Sequence, residues 1–573
     1  MYTMARFIKP TLLPKGMNSA YLQELVQICM QKSLDKNAIS RLKARLCEKY
    51  KVKEMPTDIE VLMLLNKRDM QLMKPYLQTK PVRSLSGVAV CAIMTRPRQC
   101  PHGKCIYCPG GPQSFFGDVP QSYTGHEPAT RRAIRNSFDP YLQVFNRLEQ
   151  YIVSGHLPEK LEVIVMGGTF PSYPVKYQRE FVAYAFKAMN DFSERFFHGN
   201  EILLDEFKEF FELPGRVDDK TRELLIRKKV LALKKSAQLE HAQLRNERAK
   251  IRCVGLTIET RPDYAALKQA NLMLALGCTR VELGVQSLDD GILKRIKRGH
   301  SVQQTIEATR TLKDLGFKIN YHIMLGLPGS TEPSDLATFK RLFSDAEFRP
   351  DMLKIYPCMV LKGTKLYNLY KKRAYKPLRT SKAAMMISAM KSAVPEYVRI
   401  MRVQRDIPTV VAEAGVDRTN LRQYVAQIMR RDGLVCRCIR CREAGRTKAS
   451  GRAKLKVMQY DASEGNEYFI SIEDNRVLFG FCRLRFPSQS LRKEITQRCA
   501  IVRELHVYGE SAPIGKKGII QHRGYGKELL KKAEQIARQN DKRKMVVISG
   551  IGAREYYKKL GYDIQGPYMV KEI

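Results

Sequence analysis

The sequence predicts an α/β protein with a partial parallel (β/α)6 barrel, a smaller α/β domain after it and a small basic helical module before it. Three observations predict this architecture. Six apolar runs of strand length alternate with helix-length segments over residues 86–400, as in parallel βαβ units. A second set of strands, with a glycine-rich turn and a helix, lies in residues 455–573. Residues 1–85 have helical periodicity and scattered basic side chains.

The length and composition allow several hydrophobic cores. With 573 residues and 44% hydrophobic content, the chain is long enough for two or more domains. The changes of pattern predict a helical module at 1–85, the barrel at 86–400, a linker at 401–454 and the second α/β domain at 455–573. No uninterrupted apolar run approaches about eighteen residues and no apolar signal core opens the chain, which predicts a cytoplasmic protein without membrane spans.

The charge of the chain points to a polyanionic partner. Lys and Arg number 100 against 58 Asp and Glu, which gives a formal net charge of +42. This field attracts polyanions, so nucleic acid is the first partner to expect. A cation-rich surface without a dedicated partner is the alternative, and acidic membranes are a less favoured one.

The six barrel strands are expected at residues 88–94, 161–166, 251–258, 280–285, 318–325 and 352–356. Ligand-binding groups collect at the carboxyl ends of parallel barrel strands. Unusual residues follow the first five strands in turn: a cysteine loop, Gly167-Gly168-Thr169-Phe170, a segment beginning at Glu259, Gln286-Ser287 and Gly326-Leu327-Pro328-Gly329. This succession predicts one catalytic face.

The cysteine loop predicts a metal cluster. Cys100, Cys105 and Cys108 lie within nine residues, followed by Pro109-Gly110-Gly111. Three thiolates can hold three irons of a 4Fe-4S cluster and leave the fourth iron open, whereas electron-transfer clusters have all four irons capped. An open iron can activate a small molecule, usually S-adenosylmethionine. The alternative is a zinc knuckle. The nearest further cysteine, Cys91, belongs to the apolar run of the first strand.

A second cysteine triplet lies in the expected linker. Cys436, Cys438 and Cys441 stand between two glycines and predict a metal site, which we interpret as zinc. Zinc usually takes four ligands, so Cys482, Cys499 or a histidine would supply the fourth; the alternative is three uncoordinated thiols. Five isolated cysteines in apolar surroundings are expected in cores: Cys29, Cys47, Cys253, Cys278 and Cys358.

A strongly basic helical insertion separates the second and third barrel strands. Its candidate phosphate-binding residues are Arg227, Lys228, Lys229, Lys234 and Lys235. A solvated helix face and a contact with a phosphate backbone are equal contenders for such a run.

The last domain carries a pattern typical of a coenzyme A site. Strands are expected at 467–473, 477–485, 501–508 and 544–549, with a helix at 527–539. The turn that opens this helix has the sequence Gln521-His522-Arg523-Gly524-Tyr525-Gly526. Glycines let the backbone approach a ligand, and exposed amides at a helix start favour anionic oxygens. Tyr556 and Tyr557 follow on a short helix, where catalysis and packing are equally expected.

At these residues the chain resembles the catalytic subunit of the Elongator family of tRNA-modifying enzymes, in a form similar to archaeal single-chain members. The resemblance runs from about residue 80 to Ile573. It rests on five stretches: 105–112 (CIYCPGGP), 121–125 (QSYTG), 258–264 (IETRPDY), 403–408 (VQRDIP) and 503–509 (RELHVYG). The chain departs from eukaryotic members in a shorter loop between the first two cluster cysteines and in the segment that begins at His322.

The resemblance implies a radical-SAM partial barrel followed by a GNAT-type acetyltransferase domain. Cys100, Cys105 and Cys108 would ligate the 4Fe-4S cluster. Six residues would lie around S-adenosylmethionine: Tyr107, Gly167, Gly168, Thr169, Glu259 and Gln286. The turn at 521–526 would bind acetyl-CoA, with Tyr556 and Tyr557 near the thioester.

The activity that the resemblance implies is carboxymethylation of the tRNA wobble uridine at C5. A 5'-deoxyadenosyl radical would activate the acetyl methyl group of acetyl-CoA, and the carbon radical would add to uridine C5. The alternatives are a lysine acetyltransferase with a structural iron-sulfur cluster, a radical enzyme regulated by coenzyme A, and a tRNA-binding module without turnover. Expected partners are tRNA and the two small molecules, with a homodimer or Elongator-like subunits as further associations.

Overall fold

The computed structural model describes residues 19–32, 34–79, 87–215, 219–444, 453–508 and 524–573. It begins with four helices: α1 (Ser19–Gln31), α2 (Lys36–Lys49), α3 (Asp58–Leu64) and α4 (Lys67–Leu77). They pack around a core of their own that includes Leu25, Leu42 and Met73. Helix α3 begins with a reciprocal capping box between Thr57 and Glu60, which satisfies two free backbone amides. The expected helical module is therefore present.

The described residues between 87 and 444 form thirteen strands and fourteen α-helices. The strands are β1 (Ala89–Met94), β2 (Gly111–Ser114), β3 (Gly117–Val119), β4 (Lys160–Met166), β5 (Phe197–His198), β6 (Glu201–Ile202), β7 (Arg252–Thr260), β8 (Cys278–Gln286), β9 (Lys318–Leu325), β10 (Met352–Pro357), β11 (Val360–Leu361), β12 (Arg399–Arg402) and β13 (Ala412–Ala414). The helices are α5 (Pro128–Arg135), α6 (Pro140–Val153), α7 (Val175–Phe196), α8 (Leu204–Phe210), α9 (Lys220–Leu233), α10 (Leu239–Asn246), α11 (Leu267–Ala275), α12 (Asp290–Arg295), α13 (Val302–Asp314), α14 (Glu332–Ser344), α15 (Lys365–Lys371), α16 (Thr380–Ser392), α17 (Leu421–Arg431) and α18 (Ile439–Arg442). None of the described helices is long and apolar enough to cross a membrane.

The main sheet is an open, parallel partial barrel. Its strand order is β1-β4-β7-β8-β9-β10-β12, and each neighbouring pair is parallel. The first six strands are those expected from the sequence, so this fold class is confirmed. The seventh, β12, pairs with β10 through only a few residues, and its sequence Arg-Ile-Met-Arg is too short an apolar run to predict a strand.

The described residues of 453–508 and 524–573 form a second, mixed sheet with its helices. Its strands are β14 (Lys454–Ala462), β15 (Gly465–Asp474), β16 (Val477–Phe486), β17 (Cys499–Val507), β18 (Lys544–Val547), β19 (Asp563–Gln565) and β20 (Tyr568–Glu572), and its helices are α19 (Tyr525–Gln539) and α20 (Arg554–Lys558). The strand order is β14-β15-β16-β17-β18-β20-β19. The central pair, β17 and β18, is parallel and is connected through α19. This confirms the expected smaller α/β domain.

Buried ion pairs join this second domain to the amino-terminal ends of the barrel strands. Asp351, just before β10, accepts two hydrogen bonds from Arg503 of β17, at 2.8 and 2.6 Å. Asp314, at the end of α13, pairs with Arg485 of β16 at 2.6 Å. All four side chains are completely buried. These charges fix the two domains against each other because each is desolvated and needs its partner. We call this set the interdomain clamp.

Candidate active site

The cysteine loop follows β1, at the carboxyl end of the barrel sheet. Two tight turns shape it: the Gly103 amide donates to the Cys100 carbonyl at 2.9 Å, and the Cys108 amide donates to the Cys105 carbonyl at 3.0 Å. Gly103 has a φ of +86°, a left-handed conformation that favours glycine. The turns bring the three cysteines to the wall of one cavity of about 1150 Å³.

Hydrogen-bond donors surround the three thiols. The Ser122 amide donates to Cys108 Sγ at 3.2 Å, and Arg298 Nη1 lies 3.7 Å from Cys105 Sγ. His102 Nε2 lies 3.2 Å from Cys105 Sγ. Burial raises the pKa of the Cys108 thiol to about 11, whereas the hydrogen bond from the Ser122 amide acts in the opposite direction. Hydrogen-bond donors of this kind suit thiolates that bind a metal cluster.

Several polar atoms near this loop are buried without a hydrogen-bond partner among the described residues. They are His102 Nδ1, Tyr107 Oη and Arg261 Nη1. Unpaired buried polar atoms are costly unless a ligand or water pairs with them. Together with three convergent thiols and a cavity of this size, they fit a 4Fe-4S cluster with a polar small molecule beside it.

The same cavity brings together most of the residues expected around S-adenosylmethionine. It is lined by Tyr107, Gly168, Thr169, Glu259 and Gln286 as well as the three cysteines. A Cβ atom on Gly168 would lie only 3.6 Å from Cys100 Sγ, so the missing side chain leaves room beside the sulfur.

Gly167 lies behind the cavity wall. A Cβ atom at this position would be 2.2 Å from Thr95 Oγ1, and its φ of +126° is unfavourable for other residues. Its missing side chain permits the turn after β4 rather than ligand contact.

Charged residues that the sequence analysis did not single out also line the cavity. Glu282, His322 and Lys354 project from the neighbouring strands β8, β9 and β10. Lys354 forms ion pairs with Glu282 and with Glu259, the latter at 3.3 Å. Charges at alternating positions inside otherwise apolar strands were the available signal, because alternate residues of a barrel strand point inward.

Arginines form a second group of cavity residues missed by the sequence analysis. The cavity is lined by Arg132, Arg147, Arg402, Arg405, Arg422 and Arg440. Arg405 also donates to the carbonyl of Ser122, in the cysteine loop region. These positive charges suit an anionic substrate such as a phosphate backbone. Arg402 lies on β12, the strand that was not expected, and Arg422 and Arg440 donate to the Met401 carbonyl of that strand.

The basic insertion does not present all five candidate residues to solvent. Lys229 pairs with Glu212 at 2.6 Å, and Lys234 pairs with Asp139. Arg227 donates to the Ser137 hydroxyl at 3.1 Å. Lys228 and Lys235 are exposed.

The glycine-rich turn of the second domain meets the end of β17. Gly524 has a φ of +88° and directly precedes α19. A Cβ atom on Gly526 would lie 2.8 Å from Tyr556 Oη and 3.8 Å from Val507 at the end of β17. Strand β18 pairs with β17 only from Lys544 to Val547, so the last residues of β17, as far as Val507, have no partner in β18. Gln521, His522 and Arg523 lie outside the described residues.

The two tyrosines of α20 occupy different environments. Tyr556 is 39% exposed and faces the start of α19, whereas Tyr557 is 6% exposed. Tyr557 packs edge-on against Tyr562 with ring centroids 5.9 Å apart. Burial raises the pKa of both hydroxyls. Of the two, Tyr556 is placed to contact a ligand at the turn.

The second cysteine triplet is compact. The sulfur atoms of Cys436, Cys438 and Cys441 lie within 4.8 Å of one another. In the described part of the chain no other histidine, cysteine or carboxylate joins them at this spacing. Cys482 and Cys499 lie elsewhere, on β16 and β17.

Four family models match the chain. The ELP3 N-terminal domain matches residues 19–85, the Radical SAM superfamily residues 94–342, the Radical_SAM C-terminal domain residues 350–431 and the Acetyltransferase (GNAT) family residues 438–562. A radical SAM domain and a GNAT domain imply a 4Fe-4S cluster, S-adenosylmethionine and acetyl-CoA as cofactors.

Similar proteins cover nearly the full chain. The tRNA uridine(34) acetyltransferase of Methanocaldococcus infernus is 45% identical over 95% of this chain and 96% of its own length. Elongator complex protein 3 of Saccharomyces cerevisiae is 38% identical over 93% and 92%. The solved archaeal Methanocaldococcus infernus Elp3 with an N-terminal deletion is 42% identical, with a TM-score of 0.69 over 85% of this chain and 100% of that one. The chain therefore belongs to the family of the tRNA uridine(34) acetyltransferases and Elongator complex protein 3.

Proposed function

We propose that this chain is a cytoplasmic tRNA-modifying enzyme that places a carboxymethyl group on C5 of the wobble uridine, with acetyl-CoA as the donor. The proposal rests on one observation: the two candidate cofactor sites belong to two domains that the interdomain clamp holds together. Cys100, Cys105 and Cys108 line a polar cavity of about 1150 Å³, and the turn that opens α19 brings Gly526 close to Val507 at the end of β17. Relatives named for uridine 34 of tRNA support the substrate.

The three cysteines hold the cluster, which supplies the electron for reductive cleavage of S-adenosylmethionine when both are bound. Tyr107, Gly168, Thr169, Glu259 and Gln286 bind S-adenosylmethionine, while Gly167 sets the turn that carries two of them. Arg298 and the Ser122 amide stabilise the thiolates through their hydrogen bonds.

The turn from Gln521 to Gly526 binds the pyrophosphate of coenzyme A, since the start of α19 offers free backbone amides. Tyr556 orients the thioester from its position beside Gly526. Tyr557 has a packing role.

The tRNA backbone binds to basic side chains at two places. Arginines that line the cavity, such as Arg402 and Arg405, contact the anticodon arm, and Lys228 and Lys235 extend the contact along the insertion. Arg227, Lys229 and Lys234 add charge to the same region from their ion-paired or hydrogen-bonded positions. A homodimer or Elongator-like partner subunits would enlarge this surface.

Cys436, Cys438 and Cys441 hold a structural zinc ion. Three thiols within 4.8 Å of one another support this assignment. Metal analysis of the cluster-free protein tests it: a Cys438→Ser variant should lose about one zinc per chain, and the matched Cys482→Ser variant should keep it. Equal zinc content in the two variants would refute the site.

One reaction tests the activity. Iron-reconstituted protein is incubated without oxygen with bulk tRNA, S-adenosylmethionine, a reductant and acetyl-CoA labelled in its methyl carbon, and the nucleosides are read by mass spectrometry. Label in a carboxymethylated uridine is the expected result. If 5'-deoxyadenosine forms but no nucleoside carries label, the substrate or donor is wrong. If neither 5'-deoxyadenosine nor a labelled nucleoside forms, the result favours the alternative of a lysine acetyltransferase with a structural iron-sulfur cluster.

A further inference from the structure

A half-buried histidine and a buried carboxylate lie side by side in the cavity that the three cysteines of the loop line. His322 Nε2 is 2.8 Å from Glu282 Oε2, and Glu282 also pairs with Lys354. Glu282 is completely buried, whereas 15% of the His322 side chain is exposed. Both His322 and Lys354 line the same cavity as Cys100, Cys105 and Cys108. The imidazole thus contacts a fixed carboxylate on one side and faces the cavity of the three cysteines on the other.

The surrounding charges fix the protonation of this pair. Burial raises the pKa of Glu282, but Lys354 and the hydrogen bond from His322 outweigh it and hold the pKa well below its ordinary value. Burial and the Lys354 charge lower the pKa of His322, against the opposing effects of Glu282 and Glu259. Arg280 also lies 3.4 Å from Glu282 Oε1, and the ring of Tyr356 lies 5.7 Å from the imidazole. His322 is therefore neutral beside an ionised Glu282.

The tautomer follows from the hydrogen bond. An ionised carboxylate only accepts, so His322 Nε2 carries the proton that Glu282 binds, and Nδ1 holds a free lone pair. No described residue is hydrogen-bonded to His322 Nδ1. A carboxylate that orients a neutral imidazole in this way stabilises the imidazolium formed when the ring accepts a proton.

A metal ion is the other ligand that this part of the cavity could hold. Oxygen and nitrogen atoms of Glu259, Glu282 and His322 lie within 4.8 Å of one another. However, the Lys354 ammonium already pairs with both carboxylates. A second cation there would be repelled at short range. The arrangement suits proton transfer rather than metal binding.

We propose that His322 is the general base that removes the C5 proton of the wobble uridine, with Glu282 as its positioning residue. This inference rests on the proposed function. Addition of a carbon radical to C5 leaves an unpaired electron on C6, and the C5–H bond must then break to restore the ring. The proton goes to His322 Nδ1. The unpaired electron on C6 and the two electrons of the broken C5–H bond remain on the ring. Two of these three electrons form the C5=C6 bond, and the third passes to a one-electron acceptor of the iron-sulfur class.

Loss of a general base should change the product of the reaction, whereas loss of a purely structural histidine should not. Without the base, the adduct keeps its C5 hydrogen and takes an electron and a proton from the reductant and solvent instead. The resulting 5,6-dihydro nucleoside is about 2 Da heavier than the product. General base catalysis typically contributes about 10²–10⁴-fold to a rate.

The experiment compares wild type with His322→Ala, His322→Gln and a matched surface control, His198→Gln, in the anaerobic labelled reaction. His198 is exposed on the β5–β6 hairpin. We measure 5'-deoxyadenosine, labelled carboxymethyluridine and the heavier dihydro product. Imidazole is added to a parallel set, because a small base can enter the space that the alanine leaves. Iron content and thermal midpoints of all variants are recorded.

We expect both His322 variants to form 5'-deoxyadenosine at close to the wild-type rate and carboxymethyluridine at least about 100-fold more slowly, with the dihydro product in its place. Imidazole should restore carboxymethyluridine in His322→Ala but not in His322→Gln, whose side chain fills the space. The control should match wild type.

Three outcomes would overturn the inference: undiminished carboxymethyluridine in the variants, a parallel loss of 5'-deoxyadenosine and product, or a lack of rescue by imidazole in His322→Ala. A misfolded variant is recognised by lost iron or a lowered midpoint, and rescue of His322→Ala then decides. If wild type forms no labelled nucleoside, the proposed function fails first, and this inference falls with it.

Discussion

Replacement of Asp351 by asparagine tests the interdomain clamp. Asp351 accepts hydrogen bonds from Arg503 Nη1 and Nη2 at 2.8 and 2.6 Å and from the Ile319 amide at 2.8 Å. Arg483 lies 3.5 Å away, and all three charged side chains are at most 1% exposed. Asparagine keeps the size and one acceptor but removes the charge, so it leaves two buried guanidinium groups without this partner.

The size of the effect follows from this burial. Breaking a buried ion pair on one side costs about 3–5 kcal/mol, because the other charge stays desolvated. Asparagine still accepts one hydrogen bond, so we expect the free energy of unfolding to fall by about 3 kcal/mol, near the lower end of this range. For a cooperative unit of about 150–250 residues, each kcal/mol lowers the thermal midpoint by about 2–4 °C, so we expect a fall of about 6–12 °C.

Scanning fluorimetry at a fixed heating rate measures this change, since a chain of this size is expected to unfold irreversibly. The matched control is Asp345→Asn, on the same connection before β10. Asp345 pairs with Arg341 at 3.1 Å on the surface, where ion pairs contribute about 0–1 kcal/mol. A fall of less than about 2 °C for Asp351→Asn, or equal falls for the two variants, would refute the reasoning.

The same pair gives a pH dependence. Burial raises the pKa of Asp351, but Arg503, Arg483 and Lys313 outweigh it and hold the pKa well below the ordinary value. A carboxyl with a lowered folded pKa stabilises the fold at every pH above its unfolded value of about 3.9 and loses this contribution as the pH falls through the folded value. The difference in midpoint between wild type and Asp351→Asn should therefore be constant near neutral pH and shrink below about pH 4.

Three further changes have defined outcomes. Cys105→Ser should abolish the iron-sulfur absorbance and product formation while tRNA binding in a gel-shift assay stays within about twofold; retained turnover contradicts the cluster assignment. Tyr556→Phe should reduce carboxymethyluridine formation by about 100-fold without lowering the thermal midpoint, whereas Tyr557→Phe should lower the midpoint and leave the rate within about threefold; the reverse order contradicts the assigned roles. Replacing Lys228 and Lys235 together by alanine should lower the salt dependence of log K for tRNA by about 1–2, and an unchanged slope means that they do not contact phosphate.

The two cofactor motifs could be predicted from the sequence because the residues of each motif are close together in the chain. Cys100, Cys105 and Cys108 form one loop, and Gly524 and Gly526 form one turn. Local turns alone bring such residues together, so their spacing carries the information. The barrel strands were readable for a related reason, since a buried parallel strand is a continuous apolar run whatever its neighbours are.

Residues from distant parts of the chain could be assembled only by the fold. In the chain, 40 positions separate Glu282 from His322, and 72 separate Glu282 from Lys354. The three side chains meet because β8, β9 and β10 are neighbours in the sheet and these residues all point into the barrel. Likewise, the strand β12 gains its place by pairing with β10, not by its own short and arginine-rich sequence. The difference between Tyr556 and Tyr557 depends on which side of α20 faces the start of α19.

Local patterns in the sequence were enough to predict the first six barrel strands, the two cofactor motifs and the family. Only the packed structure shows how the two cofactor sites are held in one body. The interdomain clamp joins Asp314 and Asp351 of the barrel to Arg485 and Arg503 of the second domain. In the sequence these are ordinary charged residues. Only burial makes each charge require its partner, and burial is a property of the packed molecule.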